Sequence, residues 1–253
     1  NGLQFLTSYV WSHALANSGT PLSGSTNFGV PDPTNFASAY STAAWDIRHS
    51  FTTAFNYDIP FGKGKRFGGN MNRALDAVAG NWHANGILTL RAGQPYTING
   101  TSCVGNWGKC LPDAVPGMTP NSAPSGGRQV NSDGYWFNPA AYQVAAQNAA
   151  ANFYTGGNLG LQSNIGPATR TMDFSVFKDF VFTERMKMQF RAEAFNLANT
   201  PIYSTPDGSL GDAKLPATAD GRPAVNGNGN FGKVLGANVG TERHVQFSLR
   251  LQF

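Results

Sequence analysis

Six stretches of this chain alternate apolar and polar side chains with a period of two, and the connections between them are alternately long and short. The last stretch is the cleanest. In Arg243 to Phe253, Val245, Phe247, Leu249, Leu251 and Phe253 face one way, and His244, Gln246, Ser248, Arg250 and Gln252 face the other. A strand places successive side chains on opposite faces, so this period specifies a strand with one greasy and one wet side. The same pattern runs through Leu3 to Trp11, Trp45 to Phe61, Trp82 to Ala92, Arg170 to Phe182 and Met186 to Leu197. Such a stretch of roughly ten residues crosses a bilayer when tilted.

The connections constrain the fold more than the strands do. Only Thr183 to Arg185 separates the fourth and fifth stretches. Between the second and third lies a moderate segment, Gly62 to Gly80, whose centre predicts one helical turn around Arg73 to Val78. The other three connections are long: 12–44, 93–169 and the segment from 198 to the C-terminal strand. A compact water-soluble domain rarely carries structureless loops of that length. An outer-membrane barrel expects short turns on the periplasmic side and long loops outside. The ring-bearing residues agree. Trp11 and Trp45 fall at the long-loop end, and Tyr57, Phe61, Trp82, Phe182 and Phe253 at the short-turn end, as two interfacial girdles would require. The predicted fold class is therefore all-β, an antiparallel up-and-down transmembrane barrel wall of about six long strands. A β-sandwich with two stacked sheets is the soluble alternative.

Composition narrows the function. Charged residues are 13% of the chain, about half the usual globular share, while 30 glycines and 15 prolines favour strands and turns. A net charge of +4, scattered along the chain, gives no footprint for nucleic acid. No run of 18 apolar residues exists to form a membrane-spanning helix. The chain begins at Asn1 already in strand pattern, without an initiator Met or a signal peptide, and is expected to be a piece of a longer protein.

Several stretches resemble the C-terminal barrel of TonB-dependent outer-membrane receptors. They are similar above all to the large receptors, common in acidobacteria, that begin with a carboxypeptidase-regulatory-like domain. The stretches are SYVWSHALANS (Ser8 to Ser18), WDIRHSFTTAFNYDIPFGKGKRF (Trp45 to Phe67), GNWHANGILTLRAGQPYTI (Gly80 to Ile98), WFNPAAY (Trp136 to Tyr142), NIGPATRTMDFSVFKDF (Asn164 to Phe180), MQFRAEAFNLANTP (Met188 to Pro201) and FGKVLGANVGTERHVQFSLRLQF (Phe231 to Phe253). The resemblance implies that residues 1–253 form the final part of a barrel of about 22 strands, its plug and earlier strands lying outside this sequence. It implies an outer-membrane location and active uptake of a scarce solute such as a siderophore, carbohydrate or peptide. Its implied partners are outer-membrane lipid, the rest of the barrel and plug, the inner-membrane TonB complex acting through that plug, and the outer-membrane assembly machinery. Phe247, Leu249, Leu251 and Phe253 resemble the C-terminal signal which that machinery reads. Six such strands alone would leave unpaired edges in lipid, so the isolated piece is expected to aggregate. The rival from another class is a structural or adhesive outer-membrane barrel without transport.

No cofactor, metal site or catalytic set is expected. His13, His49, His83 and His244 lack paired-ligand spacing, and His49 is read as structural. The string GNGNFG (Gly227 to Gly232) satisfies a dinucleotide-binding pattern but precedes a strand rather than a helix, and is read as loop. Asp173, Asp179 and Glu193 share polar strand faces with Lys187, Arg191 and Arg250, which predicts cross-strand pairing rather than acid–base chemistry. Cys103 and Cys110 suit a local disulfide around Trp107 in an exported protein. In the longest loop Trp107, Tyr135, Trp136 and Tyr142 stand among amides and glycines. They are the sequence's candidate contacts for a sugar or an aromatic chelate. The competing expectation is that these rings pack the loop against its neighbours.

Overall fold

The computed structural model describes residues 2–17, 31–32, 35–101, 110–118, 134–146, 156–183, 185–220 and 222–253. Its frame is one six-stranded antiparallel sheet. The strands are β1 (Leu3–Trp11), β2 (His49–Asp58), β3 (Trp82–Arg91), β4 (Thr169–Val181), β5 (Lys187–Phe195) and β6 (His244–Gln252). They lie side by side in chain order, each hydrogen-bonded to its predecessor. All six stretches seen in the sequence become strands, with ends shifted by a few residues where turns compete for the backbone.

The register puts every apolar set on the same side. One row crosses Phe5, Phe55, Gly86, Phe174 and Ala194; the next crosses Leu3, Tyr57, Ala84, Val176, Ala192 and Phe247. Gly86 is the exception that explains itself. A Cβ there would sit 2.7 Å from the Phe55 ring and 3.0 Å from the Asp173 carbonyl, so the missing side chain makes room for the Phe55 and Phe174 rings, 6.3 Å apart. No second sheet covers this face among the described residues. Phe5 is 73% exposed and Phe247 70%. A sandwich would bury these groups between layers, so the soluble alternative is overturned.

The opposite face is wet. The row Gln4, Asn56, Asn85, Ser175, Glu193 and Gln246 carries a polar group on every strand. Ser175 donates to Asn85 Oδ1 at 2.9 Å, and Gln246 Nε2 donates to Glu193 Oε2 at 2.6 Å. One row toward the short-turn end, His83 Nδ1 lies 2.5 Å from Asp58 Oδ1, and its ring stacks 4.9 Å from Phe177. Gln189 Nε2 reaches Asp179 Oδ1 at 2.9 Å, while Arg191 bridges Gln189 and Glu193. Across strands the carboxylates thus meet His83, Gln189 and Gln246 rather than the expected cations; the one ion pair of that set, Arg191 with Glu193, lies within β5, and Asp173 Oδ1 instead accepts the Asn196 amide at 2.9 Å and caps the exit from β5.

The ends of the sheet differ in kind. Between β4 and β5 the Phe182 and Thr183 amides both reach the Met186 carbonyl. Between β2 and β3 stands the predicted helical turn, α1 (Arg73–Ala79), with the Asn72 side chain accepting the Leu75 amide at 2.8 Å as its N-cap. At the other end, the long connections fold together into a cap. Four two-residue ladders organise it, joining Leu15–Ala16 to Ser41–Thr42, Pro95–Tyr96 to Asn164–Ile165, Asp113–Ala114 to Tyr142–Gln143 and Lys214–Leu215 to Val225–Asn226. The cap has its own core, built from Ile98, Phe137, Tyr142 and Val144 of the β3–β4 connection and Leu210, Ala213, Val225 and Phe231 of the β5–β6 connection. A smaller cluster adds Ala39 from the first long connection to Leu111 and Leu161 of the second.

Candidate functional site at the mouth of the wall

Where the wet face meets the cap, a cleft of about 250 Å³ opens. The wall supplies its floor through Arg91 and Thr169, which are register partners on the polar face of β3 and β4. The β3–β4 connection adds Gln94 and Pro167, and the β5–β6 connection adds Tyr203, Ser204, Thr205 and Asn238. The cap side is held rigidly. Ser204 N and Oγ both donate to the Gly236 carbonyl, and Asn238 N donates to Ile202 O at 2.8 Å. The Arg91 side chain is exposed and in no ion pair among the described residues, so its guanidinium is available to a solute. The lining can therefore offer a fork of cationic donors, hydroxyls and amides, a donor set suited to hydroxylated or anionic groups.

Polar anchors also hold the cap together. Arg222 NH1 meets Asp113 Oδ2 at 2.5 Å, its Nε meets Asp220 Oδ2 at 2.7 Å, and it also donates to the Val144 carbonyl. Asp113 in turn accepts the Asn158 and Ala146 amides at 2.8 and 3.1 Å. These contacts tie the β3–β4 and β5–β6 connections together. The bonds to Asp113 and Asp220 hold the Arg222 guanidinium above its ordinary range, and the Thr218 and Arg222 bonds hold Asp220 below its own. Burial pushes the Asp207 carboxyl up, against the Ser209 amide that it accepts at 2.9 Å.

The aromatic candidates read from the sequence go elsewhere. Tyr142 is 1% exposed. Its ring, with Phe137 and Phe231, forms a triangle of edge-to-face contacts with centroids 5.0–5.6 Å apart, and its hydroxyl donates to Asn164 Oδ1 at 2.7 Å. Burial pushes that phenol up to about 12, the Asn164 bond opposing it. A ring so enclosed touches no solute, and the expectation for Tyr142 is corrected on that ground. Trp136 packs on the same core and donates Nε1 to the Ile165 carbonyl at 2.7 Å, while Tyr135 lies beneath the Lys233 ammonium at 5.2 Å. Neither lines the cleft. Trp107 and Cys103 lie outside the described residues; Cys110 carries no free thiol. Phe247, Leu249, Leu251 and Phe253 all stand exposed at or beyond β6 on the apolar side.

Two kinds of residue escaped the sequence reading. Phe231 sat inside a glycine-rich string read as loop, yet it is a core ring; Gly229 and Gly232, at φ +83° and +88°, turn the backbone that inserts it. Asn196, at φ +48°, is a buried hub whose side chain donates to the Thr200 and Thr241 carbonyls and accepts the Thr200 amide. The cue for it was an Asn just beyond an alternating stretch, since Asn tolerates the left-handed conformation better than most residues. His49 has a structural partner, its Nδ1 lying 2.9 Å from the Tyr9 hydroxyl.

A family model for the outer membrane beta barrel domain matches residues 1–246. The chain belongs to that family. No curated protein matches the chain, and neither does any solved structure. Membership in the outer membrane beta barrel domain family fixes the solvent on each side of the sheet. The apolar face meets the hydrocarbon of the outer membrane and the wet face meets an aqueous interior. In outer membrane beta barrel domains the short turns are periplasmic and the long loops extracellular, so the cap and its cleft look outward.

Proposed function

We propose that this chain is the C-terminal part of the barrel of an active-transport receptor, importing a scarce solute with energy from the inner-membrane TonB complex. The observation that carries this reading is the cleft. It joins a folded extracellular cap to the polar wall of the interior, and it presents Arg91 with a ring of hydroxyl and amide groups. An adhesin or structural barrel needs the cap but has no use for a donor set at the entrance to its lumen. The solute class is a siderophore, carbohydrate or peptide, with hydroxyl or carboxylate groups for Arg91, Gln94, Thr169 and Asn238 to hold. Catalysis is no part of the proposal, since the carboxylates of the wet face serve cross-strand pairs. The remaining partners are the rest of the barrel with its plug and the assembly machinery that reads the C-terminal strand. The disulfide between Cys103 and Cys110 belongs to the proposal as a brace on the outer loop.

The test is uptake in cells carrying the complete receptor, with labelled siderophores, oligosaccharides and peptides. Arg91→Ala should lower uptake at least tenfold with surface abundance unchanged, and loss of the TonB complex should abolish it. Uptake indifferent to both changes, or no uptake of any class, would leave the adhesive reading standing instead.

A further inference from the structure

The turn between β2 and β3 combines exposed cations with exposed apolar groups. From Phe61 to Gly80 it carries Lys63, Lys65, Arg66 and Arg73 against one acid, Asp76. All four cations are exposed, and none is in an ion pair among the described residues. Asp76 is spent internally, its Oδ1 accepting the Lys63 amide at 2.6 Å. Beside the cations stand Phe61, Phe67, Leu75 and Val78, each 40% exposed or more. Leu75 and Val78, three apart on α1, share a face.

Hydrogen bonds close this turn and place it on one side of the wall. Gly62 N donates to Phe67 O and Phe67 N to Pro60 O, closing the first loop. Trp82 Nε1 donates to the Val78 carbonyl at 2.9 Å, and the Lys178 ammonium donates to the Gly80 carbonyl while lying 5.4 Å from the Trp82 ring. Trp82 and Lys178 are register partners on the apolar face. Helix α1 is therefore pinned to the membrane side of the periplasmic rim, not to the lumen. β2 and β3 already have their lateral neighbours, β1 and β4, so the turn does not lie at an open edge of the sheet. Water alone would leave four large apolar groups wet, and hydrocarbon would leave four cations dry. The headgroup layer accepts both.

We infer that this turn is an anchor for anionic phospholipid headgroups in the periplasmic leaflet of the outer membrane. It continues the lipid-facing wall into the interface, with the cations beside the phosphates and the apolar groups among the first acyl carbons.

The experiment uses the intact barrel in phosphatidylcholine bilayers with spin-labelled phosphatidylglycerol or spin-labelled phosphatidylcholine as probe. The association ratio of the two is read from the immobilised spectral component. The native protein should favour phosphatidylglycerol severalfold, and each lost charge should lower that preference in turn. Lys63→Gln, Lys65→Gln, Arg66→Gln and Arg73→Gln combined should bring the ratio near one, while Lys214→Gln in the extracellular cap leaves it unchanged. Should the fourfold variant not assemble, salt of about 1 M, where screening shortens to about 3 Å, must collapse the ratio of the native protein. A native ratio near one overturns the proposal and turns attention to an acidic periplasmic protein. So does a ratio that survives salt, or one that Lys214→Gln lowers equally.

Discussion

The wall and the cap obey the same physics with opposite results. In the wall, Phe5, Phe247 and Leu249 point outward and the hydrogen-bonded Asn85, Ser175, Glu193 and Gln246 point in. In the cap, Phe137, Tyr142 and Phe231 point in and pack on one another. The wall's outer solvent is hydrocarbon, so its greasy face needs no protein partner and gains nothing from a second layer. The cap sits in water and must bury its apolar groups against itself. One chain therefore carries two cores of different kinds, one completed by lipid and one completed by side chains.

Substitutions can break this contrast from either side. The largest effect is expected at the cap core. Phe137→Ala should cost about 3–5 kcal/mol of cap stability by opening a cavity among rings packed edge to face. Proteolysis of the cap should rise steeply in that variant while the β-sheet circular dichroism of the wall persists. If wall and cap melt together, they are one cooperative unit and the contrast is weaker than stated. Next comes a charge on the lipid side. Val176→Arg, in the apolar row between Ala84 and Ala192, should cost about 2–4 kcal/mol in reversible folding into vesicles. Asn85→Arg on the wet face of the neighbouring strand should cost far less. Equal penalties at the two positions would remove the assignment of faces.

Smaller changes sharpen the account of the cap. Arg222→Met breaks the tie to Asp113 and leaves that carboxylate with only its two amide donors, at an expected cost of about 2 kcal/mol. Hydrogen exchange should rise in both the β3–β4 and β5–β6 connections, not in one. The smallest effect is pH-dependent. The phenol of Tyr142 is raised to about 12 in the folded cap, above its unfolded value of 10.0. The folded state therefore holds the proton where the unfolded state has lost it. Its contribution is fully present below pH 10 and is lost as pH rises from 10 to 12, at about 1.4 kcal/mol per unit. Tyr142→Phe should cost about 1 kcal/mol at neutral pH. In a urea titration, cap stability of that variant should then decline less steeply than native between pH 10 and 12.

Much of the wall was legible from the residues because its information is local. A period of two declares a strand and its two faces without reference to any neighbour, and the length of each connection declares which end it occupies. Even α1 was visible, in Arg73 to Val78. The parts that the residues left open share a different logic. Lys178 stands on the apolar face of β4 as the register partner of Trp82, and only the folded turn shows its ammonium reaching the Gly80 carbonyl. Tyr142 and Trp136 looked like exposed rings among amides, and became core and packing because partners from another connection came to meet them.

The sequence by itself determined that this chain would make amphipathic strands, which of their side chains share a face, and which loops stand at each rim, since all three follow from spacing along one segment. Only the tertiary structure decided that the long connections condense into one cap, that Phe231 and Asn196 are structural, and that the cleft at the mouth is built from Arg91, Thr169 and Asn238. Those outcomes depend on contacts between residues far apart in the chain, where the choice of partner is made by the packing of the whole and leaves no periodic trace in any one stretch.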